Sequence, residues 1–157
     1  MEYIAEVYGL TEQFFADYPH DKYPEILSKS GRPYSCLLID CMDKFLICIP
    51  FRLHIQHPYA YHFKNSVRSK RANSGLDYTK SVLLANNAYI NTASPAIVDK
   101  DEYNETMINL PRIVREELKY ITDYKNDLNN ICKLHPSAWQ RRYAWSTLPY
   151  FDELLRD

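Results

Sequence analysis

Two apolar runs on either side of a short polar corner constrain this chain more than any other feature. YSCLLID at 34–40 and FLICIP at 45–50 are separated only by CMDK. Both have strand length, both are rich in Leu, Ile and Cys, and a turn-forming stretch, Ser30-Gly31-Arg32-Pro33, precedes the first. Such a pair reads as a buried antiparallel β-hairpin. Upstream, EYIAEVYGL reads as another strand. Thr11 follows as the N-cap of a helix over EQFFADY that Pro19 stops. A second short helix is expected over 23–28, with Pro24 in its first turn. TKSVLLANNAYI reads as a strand pair turning at Asn86-Asn87.

From about Glu105 the apolar period changes. Leu110, Ile113, Val114, Leu118, Ile121, Leu128 and Ile131 recur at spacings of three, four and seven, the stripe of an amphipathic helix, with Pro111 near its start. Further helices are expected at 137–143 and after Pro149. The 157 residues, 46% of them hydrophobic and 25% charged, suit one folded domain spanning 1–157, with no internal repeat. The expected class is α+β: a compact, strongly twisted antiparallel sheet with a barrel-like core, surrounding helices and a helical C-terminal part.

Function is written in the segment between sheet and helices. Residues 52–80 carry Arg52, Lys64, Arg68, Lys70, Arg71 and Lys80, three histidines (His54, His57, His62) and interleaved aromatics, with Asp77 as the single acid. The formal net charge of the whole chain is only -1. A general DNA-coating protein would be basic throughout; a local phosphate track need not be. Cations neutralise phosphates, aromatic faces stack on unpaired bases, and imidazoles move protons near neutral pH. Arg52 and His54 fall just past the end of a hairpin strand, two residues apart. A cation beside an imidazole is what phosphoryl transfer from an RNA 2′-hydroxyl requires. His57 and His62 widen the choice of acid and base. Lys64 and Asn65-Ser66, then Arg68, Lys70 and Arg71, read as a track along the RNA backbone. Tyr34, Tyr61, Tyr78 and Lys80 complete the expected contacts.

Other chemistries are weaker. The histidines show no HExxH or HxH spacing, and their cationic neighbours repel a divalent ion, so no metal and no cofactor is expected. Cys36, Cys41, Cys48 and Cys132 form no CxxC pair and read as free thiols of a reducing compartment. No leader and no apolar run near the ~20 residues of a membrane span is apparent, so the cytoplasm is the expected location.

Two stretches resemble a known family. SGRPYSCLLID is similar to the Gly-Arg-Pro turn and strand of the MazF and Kid class of toxin ribonucleases. NSGLDYTKSVLLAN resembles that class's Ser-Gly-Leu segment and following Ser-Val strand. Between them, DKFLICIPFRLH looks like the Lys-Tyr-Leu-x-Pro-Leu-Thr-Ser-Pro-Lys segment of the ToxN and AbiQ toxins of type III toxin–antitoxin systems. The helical C-terminus and the Arg-Leu-His ending bring it nearest the CptN and TenpN branches. The resemblance covers roughly residues 1–90 by pattern. It implies a MazF-like sheet and metal-independent RNA cleavage leaving 2′,3′-cyclic phosphate and 5′-hydroxyl ends. It also implies inhibition by a small pseudoknotted antitoxin RNA held in a toxin–RNA hetero-oligomer. Arg32 matches the turn arginine of the MazF class. Phe51 and Arg52 stand where ToxN has Thr-Ser, and His54 stands on its lysine. That departure removes the hydroxyls and shifts the expected chemistry onto arginine and histidine.

The resulting expectation is an endoribonuclease in which His54, or else His62, takes the 2′-hydroxyl proton. Arg32 and Arg52 hold the phosphorane-like charge, and the remaining histidine or Lys64 helps the 5′-oxygen leave. The alternatives are a non-catalytic RNA-binding module and a metal-dependent phosphoesterase using His54, His57 and His62.

Overall fold

A computed structural model describes residues 2–28, 34–41, 43–94 and 96–157. The expected hairpin is the centre of the molecule. Strands β2 (Ser35–Asp40) and β3 (Leu46–Arg52) pair antiparallel with Leu37 opposite Ile49 and Ile39 opposite Ile47. Leu37, Ile39 and Ile49 are fully buried, so the register is set by which face must leave water. β1 (Ile4–Leu10) pairs with β2, and α1 (Glu12–Asp17) follows behind its Thr11 cap.

Four short strands complete one antiparallel sheet: β4 (Ala60–His62), β5 (Gly75–Asp77), β6 (Val82–Leu84) and β7 (Ile90–Asn91). The order is β4-β5-β3-β2-β1-β7, with β6 also on β3. The ends of this order do not meet, so the sheet is open and the expected barrel-like closure is corrected. β3 is long enough to pair twice, with β6 along Leu46–Cys48 and with β5 at Phe51–Arg52.

Three further expectations change. Residues 23–28 form turns, with no helix. The stretch after Thr79 is not a hairpin: β6 lies on β3 and β7 on the far edge of β1. Asn86 explains this, because its side chain accepts the Ala88 N–H at 2.9 Å and starts a 3-10 turn that carries the chain across. Within the basic segment, Ser66 caps an unforeseen helix, α2 (Val67–Ala72), by accepting the Ser69 N–H at 3.0 Å.

The C-terminal half is helical, as its period requires: α3 (Lys100–Ile108), α4 (Leu110–Leu128), α5 (Pro136–Tyr143) and α6 (Asp152–Leu155). The buried stripe of α4 runs through Ile113, Val114, Glu117, Tyr120, Ile121 and Tyr124. Ile131 lies beyond the helix and is 63% exposed. Among the described residues no helix is long and apolar enough to cross a membrane.

Candidate active site at the end of the sheet

Strand register brings the chemistry together. Gly75 of β5 stands opposite Arg52 of β3 on one side and opposite His62 of β4 on the other. Residues facing each other across antiparallel strands project from the same face, so Arg52 and His62 flank a position that carries no side chain. A Cβ at Gly75 would come within 2.2 Å of the Tyr61 carbonyl oxygen, so only glycine lets the three strands approach this closely. Asp77, two residues on and facing the same way, anchors the group from beneath.

Asp77 is fully buried. Its Oδ2 accepts Arg52 Nη1 at 2.7 Å, and its Oδ1 accepts the Thr79 N–H at 3.0 Å and the Thr79 hydroxyl at 2.6 Å. His57 Nε2 lies 3.1 Å from Oδ1. Burial pushes the Asp77 carboxyl up. Hydrogen bonds from His57 and Thr79 and the Arg52 guanidinium outweigh it and hold the group below its ordinary value. It is therefore a carboxylate at neutral pH.

The two imidazoles are held differently. His57 Nδ1 accepts the Tyr59 N–H at 3.1 Å, which leaves its proton on Nε2 for Asp77. Both of its nitrogens are committed. His62 Nε2 faces the His57 carbonyl at 2.8 Å, an acceptor only, so its proton sits there and Nδ1 keeps a lone pair. No described residue occupies that nitrogen. His54 is exposed at φ 59°, in the left-handed region, with its N–H on the Ala72 carbonyl at 2.6 Å. Its ring has no partner among the described residues.

The expected backbone track divides. Lys64, Asn65, Lys70 and Arg71 are exposed. The polar ends of five other expected RNA contacts are engaged within the protein. Lys80 is 7% exposed and its ammonium sits on Glu25 at 2.5 Å and the Trp145 carbonyl at 2.7 Å. Ser66 and Arg68 donate to the buried Glu102, each at 2.8 Å. Tyr61 and Tyr78 are buried and donate to Glu105 and Glu116, each at 2.8 Å. Burial and the neighbouring Glu105 push the Tyr61 phenol up to about 12. Tyr34 is half-buried with its ring edge-on to Phe15 at 5.5 Å. Arg32 lies outside the described residues.

Sequence reasoning missed the acids. α3 presents Asp101, Glu102 and Glu105, which take the Val67, Lys64 and Asn65 N–H groups as well as the side chains above. The signal was present in their one-turn spacing opposite a basic run. Asp77 was legible by contrast: the lone acid among so many cations is the expected partner of Arg32 or Arg52, or a turn cap, and it pairs with Arg52.

No protein family, curated protein or solved structure matches this chain. Among the described residues no group of three His, Cys, Asp or Glu is arranged to hold a metal ion. Two clefts of about 610 and 690 Å³ lie elsewhere, neither lined by Arg52, His57 or His62. With the Arg52 side chain 33% exposed and His57 and His62 half-buried, the candidate site is a ledge open to solvent at the end of the sheet. What the ledge offers is an anchored cation, a base with a fixed tautomer, and exposed cations beside them.

Proposed function

We propose that this chain is a metal-independent endoribonuclease, the toxin of a type III system, restrained by a small structured RNA that occupies the same cationic ledge. The observation that carries the catalytic part is the pairing of His62 and Arg52 across Gly75. One nitrogen of His62 is tied to a backbone carbonyl, which frees the other. The toxin assignment rests on the sequence resemblance alone.

In this reading His62 Nδ1 takes the proton from the 2′-hydroxyl. The 2′-oxygen forms a bond to phosphorus and the bond to the 5′-oxygen breaks, giving a 2′,3′-cyclic phosphate and a 5′-hydroxyl. Arg52 spends one N–H on Asp77 and directs its remaining donors toward the phosphate oxygens as charge builds on them. The exposed His54 or Lys64 returns a proton to the leaving 5′-oxygen. His54 was the first choice of base from the sequence, but a half-buried ring with a fixed tautomer is better organised for that role than an exposed one.

The test is incubation of the purified protein with a long RNA in EDTA, followed by end-group analysis. Cyclic phosphate ends that vanish in His62→Ala and Arg52→Ala are the expected result. RNA left intact while bound to the protein would replace the enzyme with a binding module. Cleavage silenced by the chelator would replace the mechanism with a metal-dependent one.

A further inference from the structure

We propose that Trp145 is a stacking platform for an unpaired base of single-stranded RNA, beside the Arg52–His62 ledge. The inference rests on the ribonuclease reading above and adds a binding element to it. The chain has two tryptophans, and they are used in opposite ways. Trp139 packs against the buried Tyr143 with ring centroids 6.1 Å apart. Trp145 is 75% exposed.

Its backbone is nevertheless fixed. The Trp145 carbonyl accepts Lys80 Nζ at 2.7 Å. The next two residues, Ser146 and Thr147, are buried, and the Thr147 N–H donates to the Thr79 carbonyl at 2.9 Å. Thr79 is the residue whose hydroxyl donates to Asp77 and lies 3.5 Å from His57 Nε2. Two residues of chain span at most about 7 Å, so the backbone that carries the ring is tied within a few contacts of Asp77. Of the large apolar side chains left in water it is the aromatic one, and an indole held on a fixed backbone offers a flat face on which a base can stack.

Charge selects the occupant. Arg141, one helical turn earlier, is exposed and has no ion-pair partner among the described residues. The nearby carboxylate, Glu25, is already bound by Lys80 at 2.5 Å. An exposed aromatic ring with an unpaired guanidinium four residues earlier in the chain fits a nucleotide: base on the ring, phosphate on the arginine. It also explains why 80–81 and 145–147 are laced together.

The experiment titrates the protein with a single-stranded 2′-O-methyl oligonucleotide, which binds without being cut, and follows indole fluorescence. Binding should quench the wild type. Trp145→Phe should keep most of the affinity and lose the quenching. Trp145→Ala should bind about tenfold more weakly, in line with removal of one base–aromatic stack, and its melting temperature should not move because the ring packs on little. Unchanged affinity in Trp145→Ala, or quenching that survives in Trp145→Phe, overturns the proposal. If the wild type still cleaves RNA in that case, the ribonuclease reading stands without it. Quenched binding with no cleavage of ordinary RNA does the reverse, keeping the platform and removing the nuclease. A wild-type dimer that Trp145→Ala dissociates in sedimentation, with RNA affinity intact, would make this face an interface between copies.

Discussion

The sheet end and the α2–α3 junction are both places where cations meet carboxylates, yet they leave opposite surfaces behind. At the sheet end one buried carboxylate, Asp77, holds Arg52 and His57 from below, and Arg52 keeps a side chain 33% exposed with donors to spare. At the junction Asp101, Glu102 and Glu105 absorb an arginine, two serine hydroxyls, a tyrosine hydroxyl and three backbone N–H groups. The first arrangement points charge outward. The second consumes it. A run of cations in a sequence therefore says little about free charge until the acids that fold against it are known.

Asp77→Ala breaks this contrast most directly. It leaves Arg52 and His57 half-buried with no counter-charge, and losing one member of a buried pair costs about 3–5 kcal/mol. Urea unfolding should register that loss, and RNA cleavage should disappear with it. Cleavage at the wild-type rate in a folded Asp77→Ala protein would show that the ledge does not depend on its anchor. The pH behaviour follows from the sign of the shift. A carboxyl held below its ordinary value contributes stability that is present above the unfolded pKa and lost only as pH falls through the lower folded value. Mild acid alone should therefore leave Asp77 ionised.

Glu102→Ala is the matching break at the junction. It strands the Ser66 and Ser74 hydroxyls and Arg68 around a buried hole, and a buried polar group left without its partner costs about 1–3 kcal/mol. Hydrogen exchange should speed up across 64–74 while the protons of β2 and β3 stay protected. Catalysis should fall far less than in Asp77→Ala. Equal losses of cleavage in the two variants would mean that the junction belongs to the active site.

How much of this was legible depends on the range of the interactions. The β2–β3 hairpin and the α4 stripe are local patterns and were readable, because the faces that must leave water recur at fixed spacing. The separate destinations of β6 and β7 were not readable, since Asn86-Asn87 offers the same turn residues to a hairpin and to a crossover. Arg52 and His62 were visible as chemistry, but their meeting across Gly75 needs three strands in register. The burial of Lys80 and Tyr78 depends on Glu25, Trp145 and Glu116, between 38 and 65 residues away in sequence. No window of sequence holds both partners.

Glu117 sharpens the comparison from the opposite direction. It is fully buried on α4, receives a hydrogen bond from Ser81 at 2.5 Å, and feels the charge of Asp77. Burial pushes its carboxyl up to about 8, against the opposing Ser81 bond. The folded protein then holds a proton that the unfolded chain releases above its ordinary value of 4.5. Stability from this group is complete below that value and declines as pH rises toward about 8, by at most about 1.4 kcal/mol per pH unit. Glu117→Gln should flatten this part of the stability–pH curve. A slope that persists in the variant would assign the titration to another group.

The finest distinction lies within α2 itself, among cations only a few residues apart. Lys70 and Arg71 are exposed, whereas Arg68 is bound to Glu102 at 2.8 Å. If exposed cations meet phosphates, each one lost should reduce the slope of log affinity against log salt by about 0.7 for single-stranded RNA. Lys70→Ala and Arg71→Ala should each show that reduction with melting temperatures near wild type. Arg68→Ala should do the opposite, leaving the slope unchanged while loosening the loop that Glu102 secures. Salt slopes measured with one uncut oligonucleotide across the three variants decide the matter. Three equal reductions would mean that RNA displaces Glu102 from Arg68, and that the charge consumed in the free protein becomes available when RNA binds.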